Sequence, residues 1–141
     1  MSQENVEAVR RLYSLRADAA GIVRGDFDEV FLDYMHPDVE VVPPSTYPDA
    51  DIAYRGREGV RRWFRQMDEV WDDWRFEPER FFDAGTRVVV FVRVSGVTKQ
   101  GGPEVAISAA HVLTLRDGRI TRADIFLDRS DALEAVGPSD G

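Results

Sequence analysis

The chain has 141 residues, 43% of them apolar, and no cysteine; 18 basic against 26 acidic side chains leave a net charge of −8. That length predicts one domain over residues 1–141 with room for a real core. The acidic balance and the lack of any basic run exclude nucleic acid and anionic membrane as partners, while the missing cysteines exclude disulfides, thiolate metal sites and cysteine nucleophiles. No apolar run reaches the roughly 18 residues of a membrane span, and the first residues read as a helix start rather than a signal peptide, so a cytoplasmic protein is expected.

The first segment is helical. Val6, Val9, Tyr13 and Ala17 recur at spacings of three and four, with Leu12 and Leu15 widening the stripe. Asp26 looks like the cap of a second, shorter helix that buries Phe27, Val30, Phe31 and Tyr34 and ends at His36-Pro37-Asp38. Val39–Val42 is a short strand stopped by Pro43 and Pro44. Residues 43–55 form a polar loop, either a functional one such as a lid or a plain surface excursion. A third helix follows, with Val60, Trp63, Phe64, Met67 and Trp71 on one face.

After Trp74 the period changes from 3.6 to 2. Strands are predicted over Arg75–Phe82, Arg87–Thr98, Glu104–Arg116 and Arg119–Asp128. Asp117-Gly118 marks a hairpin, and a last short helix covers Ser130–Val136. Helices first and a strand meander second mean an α+β fold. The expected architecture is a cone: a curved antiparallel sheet with three helices from the N-terminal half over its concave face. The inside of such a cone is the default ligand site.

The segments NVEAVRRLY, HPDVEVVPP, YRGREGVRRWF, DAGTRVVVFVRVSG and AAHVLTLRDGRITRADIFLDRSDALEAVG, in this order, resemble the SnoaL-like (polyketide cyclase-like) branch of the nuclear-transport-factor-2-like superfamily. The resemblance covers nearly the whole chain. It implies the cone fold and a homodimer formed through the open face of the sheet. It also implies a host of several functions, among them isomerases, cyclases, epoxide hydrolases, dehydratases and binding domains.

Three residues are candidates for chemistry. His111 shares a strand face with Ile107, Ala109, Leu113 and Leu115, so it points inward. It is either a general acid or base lining a cavity or a core histidine satisfied by a neighbour. The resemblance puts it at or beside the ketosteroid isomerases' neutral aspartic acid, which donates a hydrogen bond to an oxyanion. Asp124 depends on the hairpin. A two-residue turn pairs it with His111, facing inward as the orienting carboxylate. A three-residue loop with a bulge at Gly118 sets His111 opposite Ala123 and turns Asp124 outward. Arg93 shares a face with Phe91 and Ser95. It either enters the cone to stabilise developing negative charge or lies on the outer face.

Tyr13, Tyr54, Trp63, Phe91 and Ile125 are the expected substrate contacts, with Trp71 and Trp74 packing the helix–strand junction. The resemblance places the isomerases' base near Val42 and the cyclases' aspartate at Ile125. Neither residue can move a proton. No metal motif and no cofactor fingerprint is present. The expectation is cofactor-free acid–base chemistry on a small apolar carbonyl compound, or non-catalytic binding of such a molecule.

Overall fold

The computed structural model describes residues 2–16, 23–24, 34–43, 53–99 and 101–137. Ten elements follow in chain order: α1 (Ser2–Arg16), β1 (Val23–Arg24), β2 (Met35–Val42), β3 (Tyr54–Arg55), α2 (Gly56–Val70), β4 (Trp71–Ala84), β5 (Arg87–Thr98), β6 (Val105–Arg116), β7 (Arg119–Phe126) and α3 (Arg129–Ala135). The strands form one seven-stranded sheet in the order β1-β4-β5-β6-β7-β2-β3. The result is the α+β cone. The second predicted helix and most of the 43–55 loop lie outside the described residues.

Two expectations change. The sheet is mixed, because β2 runs parallel to β7 while every other neighbouring pair is antiparallel. Parallel neighbours need a crossover rather than a tight turn, and here β2 is separated from β7 by the whole meander. β2 and β4 are also longer than predicted. β2 starts at Met35 and passes through His36-Pro37-Asp38, where its register on β7 shifts between Met35 and Glu40. Proline is tolerated at such an irregularity. Trp71 begins β4 instead of closing α2.

Curvature has a local cause. Register shifts occur between Asp72 and Arg75 and between Pro78 and Arg80 on β4, and between Thr114 and Leu115 on β6. An extra residue on one strand bends it and increases its twist. Gly96 allows the bend at the open end of β4, since a Cβ there would stand 3.1 Å from the Cα of Trp74. Asp117 (φ 53°) and Gly118 (φ 77°) both adopt the left-handed region, as a two-residue hairpin turn of this hand requires.

The two faces of the sheet are packed differently. Inward, Val88, Val90 and Val92 of β5, Ala109, Leu113 and Leu115 of β6, and Ile120 and Ala123 of β7 form one buried cluster. Val9, Leu12 and Tyr13 of α1 and Val60 and Phe64 of α2 complete it. Outward, Val89, Ala110 and Val112 pack against Ala132 of α3, with Phe82, Phe91 and Phe126 partly buried around them. The C-terminal helix therefore covers the convex face, while α1 and α2 cover the concave one. The Asp128 side chain caps α3, accepting from the backbone N–H of Ser130 at 2.8 Å and from its hydroxyl at 2.6 Å. Those bonds hold its carboxyl below the usual range.

Candidate functional site

Between the helices and the concave face lies a cavity of about 100 Å³. Its floor is Leu113, Ile120 and Ala123, its far wall is Leu12 and Met35, and α2 roofs it with Val60, Trp63, Phe64 and Met67. Trp74 closes one end, stacked on Phe64 with centroids 5.7 Å apart. Among the described lining residues, only Tyr13, Trp63, Trp74 and His111 carry a side-chain oxygen or nitrogen, and none carries a formal charge at neutral pH.

The polar centre of this wall is a pair. Tyr13 from α1 and His111 from β6 meet through a hydrogen bond of 2.7 Å between the phenol oxygen and Nδ1. Two unrelated periodicities bring them together. Tyr13 follows Val9 on the helical stripe that packs on the sheet, and His111 sits at an inward position of a strictly alternating strand. Phe81 of β4 supports the tyrosine edge-on at 5.9 Å and is itself covered by the Arg10 guanidinium at 4.7 Å. The Asn5 amide donates to the Gly85 carbonyl at 3.0 Å, tying α1 to the β4–β5 turn.

Burial in hydrocarbon disfavours the charged form of both partners. It lowers the imidazole of His111 to about 4 and pushes the Tyr13 phenol well above its ordinary value. His111 keeps some accessible surface because its ring borders the cavity, although protein surrounds it on all sides. Both groups are neutral at physiological pH. The phenol is the stronger acid and the imidazole nitrogen the better acceptor. The bond therefore runs from the Tyr13 O–H to Nδ1, which leaves Nε2 as the protonated ring nitrogen.

The hairpin adopts neither register read from the sequence. Arg116 pairs with Arg119 and Leu115 with Ile120 across the two-residue turn. Thr114 then pairs with Arg122 and His111 with Ile125. Thr121 is the extra residue, and its hydroxyl donates to the Thr114 carbonyl at 3.2 Å. This bulge sends Ile125 to the cavity opposite His111 and Asp124 to the outer face opposite Val112. There both Asp124 carboxylate oxygens accept from Arg122 Nε, at 3.0 and 3.1 Å.

The family is settled by the SnoaL-like domain model, which matches residues 6–123. The chain belongs to the SnoaL-like domain family. Similar crystal structures include TerC co-crystallised with polyporic acid, at 28% identity over 96% of this chain and 99% of that one, with a TM-score of 0.74. An NTF2-like protein from Burkholderia thailandensis E264 is 27% identical over 98% and 99% of the two chains, with a TM-score of 0.69. A SnoaL-like polyketide cyclase from Jannaschia sp. CCS1, so named only putatively, is 22% identical over 98% and 95%, with a TM-score of 0.71. None of the curated proteins matches.

Within this SnoaL-like cone, Tyr13, Trp63, His111 and Ile125 border the cavity. Four expected site residues do not. Arg93 is exposed on the outer face, since Val90, Val92 and Val94 take the inward positions of β5. Phe91 shares that outer face and packs edge-on against Phe82 at 4.7 Å. Asp124 is turned out by the Thr121 bulge. Tyr54 is fully buried, but its hydroxyl donates to Gln66 and its ring backs Trp63 edge-on at 5.2 Å, one layer behind the wall. Tyr13, not a carboxylate, is the group that orients the histidine. Trp74, expected to pack the helix–strand junction, stacks on Phe64 of α2 and also closes the cavity. Val42 pairs with Asp124 and so faces outward. No three His, Cys, Asp or Glu side chains come together as a metal site among the described residues, and no described helix is long and apolar enough to cross a membrane.

Proposed function

We propose that this protein binds a small, uncharged, largely apolar molecule through a carbonyl or similar oxygen. His111 polarises that oxygen in cofactor-independent chemistry of the isomerisation, cyclisation or dehydration kind. The observation that carries the reading is the Tyr13–His111 bond set in a wall that is otherwise almost entirely hydrocarbon. A neutral imidazole held by its Nδ1 can offer Nε2–H to an oxygen as negative charge develops there, and a water-poor site strengthens that interaction. Tyr13 stays protonated because burial opposes its phenolate, so it fixes the ring's tautomer rather than passing a proton. The polyketide cyclase-type fold and the co-crystallisation of TerC with polyporic acid support a small-molecule ligand for a chain of this family.

A second reading is a non-catalytic carrier. It is favoured by Ile125, a hydrocarbon opposite His111, at the position where the resemblance places the cyclases' aspartate. Neutral aryl methyl ketones separate the two. Ketone binding should raise the melting temperature by mass action. The enzyme reading expects the Nε2–H of His111 to acidify the ketone, with solvent water taking the α-proton and returning deuterium, so exchange into D2O is faster and is lost in His111→Ala. Binding without exchange favours the carrier. Neither binding nor exchange would overturn both. The setting we propose is a cytoplasmic homodimer joined through the outer sheet face, supported by the Phe82–Phe91 pair there. Sedimentation tests it, and a monomer at micromolar concentration contradicts it.

A further inference from the structure

The inward row of β6 does not stop where the cavity does. Leu115, Leu113 and Ala109 are buried, but Ile107 is 39% and Val105 41% exposed on the same face. Ile107 lines the cavity, as does Leu127, which is 38% exposed just beyond the end of β7. The cause is a mismatch of strand lengths. β6 pairs with β5 out to Val105 opposite Gly96, whereas β7 ends at Phe126 opposite Ala110. The cavity therefore opens beside residues 105–109, over a sill of exposed hydrocarbon. The sill ends at Glu104, whose carboxylate accepts from Arg75 at 2.6 Å.

We infer that the ligand is elongated, held by its oxygen at His111 and leaving the cavity along Ile107, Leu127 and Val105. The inference rests on the cavity reading above and adds a length to it. Four residues of strand separate His111 from Ile107 and six separate it from Val105, or about 14 and 20 Å at the rise of a strand. A molecule enclosed by the cavity alone would be much shorter and would leave the sill bare. An apolar tail covering the sill takes three large side chains out of water, at about 25 cal/mol for each Å² removed. The occupant is fixed by continuity, because two of the three sill residues already line the cavity that holds the head group. The charged pair at the far end marks where the apolar part stops. Substrate length, rather than a charge, is what this site reads.

Straight-chain methyl ketones from hexanone to hexadecanone, long enough to reach the sill, are the probes, with binding followed by tryptophan fluorescence, since Trp63 and Trp74 line the cavity. Affinity should rise about fourfold per added methylene while the tail lies inside the cavity and about twofold along the half-open sill, through hexadecanone. Ile107→Ser should lower the ratio of hexadecanone to hexanone affinity by roughly tenfold, and Leu127→Ser should act in the same direction. Both residues are exposed enough for the variants to fold. A peak at hexanone followed by a fall, or a ratio unchanged in both variants, overturns the inference. His111→Ala tests the anchor separately. If it leaves every ketone's affinity unchanged, the function reading fails, while the length dependence still stands or falls on the sill. If no ketone binds the native protein, both fail together.

Discussion

The two faces of β5 and β6 are made by the same strands, yet they carry opposite chemistry. Inward stand Val90, Val92, Ala109, His111 and Leu113, with no formal charge at neutral pH and with His111 hydrogen-bonded to Tyr13. Outward, beside the Val89, Ala110 and Val112 patch that α3 covers, stand Arg87, Arg93 and Thr114, while Asp124 on β7 is paired with Arg122. Arg129 crosses this outer face, with Nε donating to the Ala109 carbonyl at 3.2 Å and a terminal nitrogen donating to the Val92 carbonyl at 3.0 Å and to Glu79. A charge is cheap on the outer face because water solvates it. On the inner face even an imidazole is held neutral. Strand parity decides which residues can do chemistry, and one bulge decides parity for all of β7 beyond it.

That contrast can be broken from the inside with the largest effect. Leu113→Ala should cost about 3 kcal/mol of unfolding free energy, the range for a buried leucine, whereas Thr114→Ala next to it should cost less than about 1 kcal/mol. Urea denaturation of the pair of variants measures both. Equal costs would mean that the inner face is not the core.

Acid probes the same difference. The folded chain holds His111 at about 4, below its ordinary value, so between about 6.5 and 4 the unfolded chain binds a proton that the folded chain refuses. The stability this contributes is fully present above pH 6.5 and is lost as the pH falls toward 4. It amounts to roughly 3 kcal/mol at full loss. His111→Phe should flatten that part of the stability–pH curve, and an unchanged curve would contradict the buried neutral imidazole.

Smaller effects follow. Tyr13→Phe should cost about 1 to 2 kcal/mol, because it leaves Nδ1 without its phenol donor in a site remote from water. It should also weaken ketone binding. Asp124→Asn removes a half-exposed ion pair on the outer face and should cost less than about 1 kcal/mol, with ligand affinity unchanged. A loss of ligand affinity in Asp124→Asn would put the carboxylate back in the mechanism.

Much of the fold was legible because it rests on period. The stripe Val60, Trp63, Phe64 and Met67 gave α2, and alternation gave β5 to the residue and β6 and β7 to within two. Asp117-Gly118 gave the turn. His111 was legible for the same reason, as a polar residue among inward aliphatics. Other features had weaker signals. Thr121 carries no sequence mark of a bulge, since this kind needs neither glycine nor proline, so Asp124 could not be assigned a face. Arg93 was readable in principle: Arg87 and Arg93 share one parity, and charged residues at that parity mark the outer side. Phe91 obscured it, because an aromatic patch also covers the outer face. The partnership of Tyr13 with His111 spans 98 positions of sequence and depends on how α1 crosses β4, which no local pattern encodes.

The central claim is an uncharged imidazole at residue 111, fixed in one tautomer by Tyr13. The chain has two histidines, so nitrogen–proton correlation spectra of the labelled protein resolve both rings. The account predicts that His111 stays neutral and Nε2-protonated across pH 5.5–8, titrates near 4, and loses its tautomer preference in Tyr13→Phe. An ordinary titration near 6.5, or an Nδ1-protonated ring in the native protein, would contradict it.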